Sequence, residues 1–210
     1  LTFNMLTAAV GGTFQGTISG TGDVSRVGTA PLTFNSQIDI GGNLDVTEGL
    51  LTLDPGAEVN VQGIVTVGAT GELRLNGGTL NTGTITDDIF TLTDGRLSAS
   101  SIQGDLIQDG GVLAPGASPG LTNIDGDYSL NAGTLEIEIG GSIAGSDLDL
   151  VTADSVTIQP GTTLDIALID GFIPTLSNSF EAVSATSGIA GTFTNTTLPS
   201  FNGLTFDVIY

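Results

Sequence analysis

Short runs along the chain alternate apolar with polar residues, and glycines separate the runs. Clear cases are Leu44-Asp45-Val46, Leu51-Thr52-Leu53, Val59-Asn60-Val61, Leu73-Arg74-Leu75, Leu135-Glu136-Ile137-Glu138-Ile139 and Leu164-Asp165-Ile166-Ala167-Leu168. A period of two is the strand period, because neighbouring side chains of a strand point to opposite faces. Leu, Val and Ile are therefore expected to face a core, with Asp, Asn, Glu, Arg and Thr facing water. Helical spacing is almost absent. Gly42, Gly49, Gly56, Gly63, Gly71 and Gly78 recur at intervals of 7, 7, 7, 8 and 7 residues. That interval is too short for a β-sandwich, whose turns come about every 8–12 residues. It suits a coil of three short strands per turn, roughly 20–24 residues per rung.

The expected fold class is all-β, a right-handed parallel β-helix (β-solenoid) with a possible β-rich C-terminal cap. Solenoid rungs are expected over 1–125, and 126–210 is expected to continue or cap them. Stacked at about 4.8 Å, some five rungs between residues 16 and 125 would make a rod on the order of 24 Å long. Each buried aliphatic side chain in such a stack contributes roughly 1.5–3 kcal/mol.

Composition removes several functional classes. The 210 residues include 23 Asp and Glu against three Arg, with no Lys, His, Cys or Trp, for a formal net charge of −20. Three cations against 23 carboxylates cannot displace counterions from nucleic-acid phosphates, and the same charge opposes anionic membrane surfaces. No run of about 18 apolar residues offers a membrane-spanning helix, so direct membrane insertion is not expected. A mean hydropathy of +0.32 and 39% apolar residues separate the chain from disordered acidic tails. Disulfides and Cys/His metal sites lack their residues. The absence of Cys, together with an acidic, Lys-free, Thr- and Gly-rich composition, points outside the cytosol. The start at Leu1, with no initiator Met or basic leader, suggests a processed or internal beginning. Asn195-Thr196-Thr197 matches a glycosylation sequon, a pattern that a Thr-rich chain produces by chance.

Residues 16–53 carry a further signal, in Gly16-Thr-Ile-Ser-Gly20-Thr-Gly22-Asp-Val-Ser-Arg26-Val-Gly28 and the following Leu32-Thr-Phe34-Asn35. This stretch resembles the autotransporter-associated β-strand repeat, with Arg26 where that repeat carries Lys and Gln37-Ile38-Asp39 in place of its Asn-x-Tyr turn. Gly111-Val-Leu113-Ala-Pro115-Gly116-Ala-Ser118-Pro119-Gly120 resembles the Pro-Gly-x-Ser-Pro-Gly junction near the end of bacterial autotransporter-type passenger β-helices. The resemblance implies a secreted or surface-displayed bacterial β-helix serving as a stalk, adhesin or matrix component, and it implies no enzyme. No barrel or anchor lies within these residues, which suggests either flanking segments or a free subunit.

Several motifs invite chemistry. Gly116-Ala117-Ser118-Pro119-Gly120 fits the nucleophile-elbow pattern, but a serine nucleophile needs a His or Lys to take its proton, and the chain has neither. Asp87-Asp88 could serve as a glycosidase carboxylate pair, with Arg74 and Arg96 as the nearest candidate cations. Asp125, Asp127, Asp147 and Asp149 lie in Gly- and Ser-containing turns that could hold Ca²⁺, a cation wanting six to eight oxygens. The tandem calcium repeat is absent, so diffuse cation screening is the expected behaviour, and no cofactor is expected. The termini stand out more. Leu1, Phe3, Met5 and Leu6 at one end, and Phe206, Val208, Ile209 and Tyr210 at the other, read as apolar strands at the open ends of a solenoid. Such ends recruit further strands unless covered. The expected partner is a second copy, joined head to tail, and the expected function is a non-catalytic extracellular structural subunit of a filament, sheath or matrix. An adhesin fragment presenting loops to a host surface or glycan is the alternative, and a polysaccharide-active enzyme the third possibility.

Overall fold

The computed structural model describes residues 2–4, 11–116, 118–201 and 203–210. All its regular elements are β, with no helix among the described residues. Eighteen strands form one sheet, paired throughout in parallel, and Ser200–Phe201 pairs with Leu204–Thr205 in a separate antiparallel hairpin.

Sequence offsets between partners reveal how the chain advances. Val24 lies beside Leu44, Leu44 beside Val65, Val65 beside Ile85, Ile85 beside Ile102 and Ile102 beside Ile124. All six are buried. A second ladder runs Ile38, Val59, Leu80, Leu97, and a third Phe90, Leu106, Tyr128, Val156. Each pass therefore places the same kind of side chain above the one before it, which is why a period-two sequence suffices to build a continuous apolar interior. These pairings are consistent with the expected solenoid.

The pass length is less regular than the glycine spacing suggests. Partners are 20 residues apart at Val24 and Leu44 and 21 apart at Val59 and Leu80. They draw in to 16 at Phe90 and Leu106, then widen to 29 at Leu135 and Leu164 and 33 at Val156 and Ile189. The surplus residues of the later passes leave the ladder between Ile139 and Leu150 and between Leu168 and Val183.

Polar groups inside the stack are satisfied locally. Gln108 interrupts a ladder between Leu92 and Leu130. The buried Tyr128 hydroxyl donates to its Oε1 at 2.6 Å, and its Nε2 donates to the Thr134 and Gly111 carbonyls at 3.0 and 3.2 Å. Burial raises the Tyr128 hydroxyl pKa. Arg26, also fully buried, takes an inward position two residues after Val24. Its guanidinium donates to the Val27 and Ala30 carbonyls, while its Nε has no partner among the described residues. Burial lowers its pKa and the nearby Glu48 raises it.

Candidate functional site

Two concave regions deserve comparison. The first lies on the side of the stack, where the outward residues of one ladder form an amide row. Asn81 Nδ2 donates to Asn60 Oδ1 at 2.7 Å, and Asn60 Nδ2 donates to Asp39 Oδ1 at 2.6 Å. Beside this row is a groove of about 610 Å³ lined by Asn60, Asn81, Arg96, Ser98, Ser118, Glu138 and Asp149, among others. Arg96 is gripped by Glu136 in a fork, Nη1 to Oε2 at 2.9 Å and Nη2 to Oε1 at 2.6 Å. That bidentate pairing raises the Arg96 pKa and lowers that of Glu136.

Asp149 sits in the wall of this groove at 2% exposure. Its Oδ1 accepts from the Gly120 N–H at 2.6 Å and its Oδ2 from the Glu138 N–H at 2.8 Å. One carboxylate thus ties the chain after the Pro-Gly junction to the strand Tyr128–Ile139. Burial pushes its pKa up to about 6, against the lowering effect of the two N–H donors; Glu138 and Glu136 add smaller upward contributions. The Ser118 hydroxyl donates to the Glu138 carboxylate. A serine nucleophile needs a His or Lys base to take its proton, and neither is present. What this arrangement offers is hydrogen-bonding capacity rather than an activated nucleophile.

The other candidates are scattered. Asp125 accepts from Asn123 at 2.6 Å, and Asp127 accepts from Ser155 at 2.7 Å. Asp147 lies 3.5 Å from the Ser146 hydroxyl. Among the described residues no group of three or more acidic side chains is placed to hold a metal ion. Asp87 and Asp88 are neighbours in the strand Thr79–Leu92. Burial raises the Asp87 pKa, but Arg74 pairs with Glu72 and Arg96 with Glu136. Asn195 of the sequon is exposed on the strand Asn195–Thr197.

No protein-family model and no curated protein sequence matches this chain.

The second concave region is at the C-terminal end. A cavity of about 690 Å³ opens between inward residues such as Ile137, Ile158, Leu164 and Ile166 and the last residues of the chain. Phe206 and Val208 pack against the core from above. The Phe206 ring lies 6.0 Å from Phe180, which stands edge-on to Phe172 at 5.9 Å. Tyr210 lies 6.5 Å from Phe193, and its hydroxyl accepts the Phe193 N–H at 2.8 Å. Ile209 points away at 89% exposure. The strand expected over 204–210 is confined to Leu204–Thr205; from Phe206 onward the chain lies across the end without sheet pairing. At the other end, Thr2–Asn4 pairs in parallel with Val24–Val27, Phe3 beside Arg26. Leu1, Met5 and Leu6 lie outside the described residues. The sequence singles out the terminal residues and offers Asp149 only as a cation ligand; Phe180 and Phe193 go unremarked as site residues, and the contacts of all three depend on partners far along the chain.

Proposed function

We propose that this chain is a right-handed β-solenoid acting as a non-catalytic structural subunit outside a bacterial cell. Copies join head to tail by strand pairing into a filament, sheath or matrix. The observation that carries the reading is the distribution of free strand edges. Of the eighteen strands in the parallel sheet, six have a single neighbour among the described residues; the other twelve have two or more. Three of the six are the first in the chain, Thr2–Asn4, Gly12–Phe14 and Ile18–Gly20, and three are Val183–Ala185, Ile189–Gly191 and Asn195–Thr197. Strand edges without a ladder partner among the described residues are thus concentrated at the two ends, where another strand of the same sense continues the ladder. Contacts between unlike surfaces build open polymers wherever their rotation does not close a ring, as when ladders are extended along a single axis. Purified protein viewed by negative-stain electron microscopy, with light scattering across a concentration series, tests this: rods one solenoid wide are expected. A monomer that persists at high concentration would overturn the reading.

The lateral groove favours a second reading, an adhesin-like module for a hydroxyl-rich glycan. Its wall offers the amides of Asn60 and Asn81, the hydroxyl of Ser98 and the guanidinium of Arg96, which Glu136 holds from outside the lining, groups suited to sugar hydroxyls. Among the described residues it supplies no aromatic platform, which is why we place it second. Glycan-array binding that is lost in Asn81→Ala would promote this reading above the first.

A further inference from the structure

The two ends of the stack correspond strand by strand. In chain order, the single-neighbour strands are Thr2–Asn4, Gly12–Phe14 and Ile18–Gly20 at one end, and Val183–Ala185, Ile189–Gly191 and Asn195–Thr197 at the other. The last two of the first set begin 6 residues apart, and those of the second begin 6 and 6 residues apart. Residues in a parallel strand point their N–H and C=O to alternate sides. Gly12 N–H donates to Pro31 and the Gly20 carbonyl accepts from Gly41, which turns the backbone groups of Thr13 and Ser19 to the free side. At the far end, Asn195 N–H donates to Thr162 and the Gly188 carbonyl accepts from Val156. Thr196 and Ile189 therefore face outward.

Those outward edges have a cover, and the cover is a poor fit for its place. Leu204-Thr205-Phe206-Asp207-Val208 alternates as a strand does, yet sheet pairing stops at Thr205. A cavity of about 690 Å³ remains beneath the tail, and Leu176 and Ile209 beside it stand 92% and 89% exposed. The backbone groups of Ile189 and Thr196 gain no ladder partner from it.

We infer that residues 203–210 form a displaceable cover over the C-terminal end. Its natural replacement is the N-terminal end of a second copy, with Thr2–Asn4, Gly12–Phe14 and Ile18–Gly20 seated on Val183–Ala185, Ile189–Gly191 and Asn195–Thr197. Displacement exchanges a few aromatic contacts and the Phe193–Tyr210 hydrogen bond for three parallel pairings and a filled interior. The inference rests on the head-to-tail reading above and adds its gate.

The test compares the 210-residue chain with a chain ending at Asn202, each with and without Thr13→Pro and Ser19→Pro. These prolines remove outward N–H groups from the N-terminal edge. Multi-angle light scattering and electron microscopy follow assembly, with circular dichroism confirming β structure. The expected result is that the shortened chain forms rods much faster than the full chain, and that the prolines abolish this in both. Equal assembly of full and shortened chains would overturn the cover while leaving head-to-tail joining intact. A shortened chain that keeps its β spectrum and stays monomeric would overturn both, and a discrete dimer would replace the head-to-tail contact with an isologous one. Should the shortened chain fail to fold, Tyr210→Phe in the full chain removes only the hydroxyl at Phe193. It is expected to speed assembly several-fold, and an unchanged rate would overturn the cover.

Discussion

Tyr128 and Gln108 face one another inside the stack, where neither could reach water. Removing the Tyr128 hydroxyl leaves Gln108 Oε1 without the donor that lies 2.6 Å away. Tyr128→Phe is therefore expected to cost about 1–3 kcal/mol, although Phe is the more apolar residue; urea unfolding measures it, and a neutral or stabilising effect would contradict the pairing. Asp149 makes a different prediction because its pKa has moved to about 6. An unfolded Asp titrates near ~3.9, so the folded state holds this proton more tightly. Stability from this group is then gained as pH falls through 6 toward 4, and lost as pH rises through 6, by at most about 3 kcal/mol. The wild type should gain more stability between pH 7.5 and pH 5 than Asp149→Asn does. Equal gains in urea titrations at the two pH values would count against a buried, protonatable Asp149. The sequence concealed this role: Gly145-Ser146-Asp147-Leu148-Asp149 reads as a wet turn, and the burial comes from Gly120 and Glu138, neither of them local. Arg26 departs from the expectation that Arg faces water: it shares the inward face of its strand with Val24 and is fully buried.

At the scale of the element, stacking distance governs. Gly20 and Gly104 share nearly the same backbone conformation, with φ of 143° and 141°. Among the described residues a Cβ at Gly20 would meet nothing within 4 Å, whereas one at Gly104 would lie 2.0 Å from the Asp87 carbonyl oxygen of the preceding pass. Both alanine variants bear the backbone penalty of an unfavourable φ; only Gly104→Ala must also pry two passes apart. Thermal unfolding should show Gly104→Ala markedly less stable than Gly20→Ala, and similar values would mean that the passes separate readily there. Leu80→Ala, in the middle of the Ile38, Val59, Leu80, Leu97 ladder, is expected to cost about 2–5 kcal/mol. The inward members of the runs at 44–46, 51–53, 59–61, 73–75 and 135–139 are all buried, so the strands and their facing were legible from alternation alone. Leu164 follows the rule, but Ile166 and Leu168 are only half-buried, because no full pass lies above them. Pass length was legible only where Gly spacing is regular. The loops after Ile139 and Leu168 carry no periodic signal, and their length emerges only from which strands pair.

Across the whole molecule, charge and free backbone edges point in different directions. The three Arg cannot relieve the surface: Arg26 is buried, Arg74 pairs with Glu72 and Arg96 with Glu136. The molecule thus carries 23 acidic residues, of which Asp149 is buried, with hardly any opposing charge. The flanks of two such molecules repel over a screening length of about 30 Å at 0.01 M salt, which shrinks to about 3 Å at 1 M. The proposed end-to-end contact depends instead on backbone hydrogen bonds and apolar burial, which screening leaves largely intact. Single rods are therefore expected at low salt, with side-by-side bundles appearing as NaCl rises and at much lower concentrations of Ca²⁺, since a divalent ion neutralises two carboxylates at once. X-ray scattering separates the two modes: mass per unit length should climb with salt, while the small repeat along each rod stays fixed. If rods instead dissolve into monomers as salt rises, their ends are held by charge, and the strand-pairing contact is wrong.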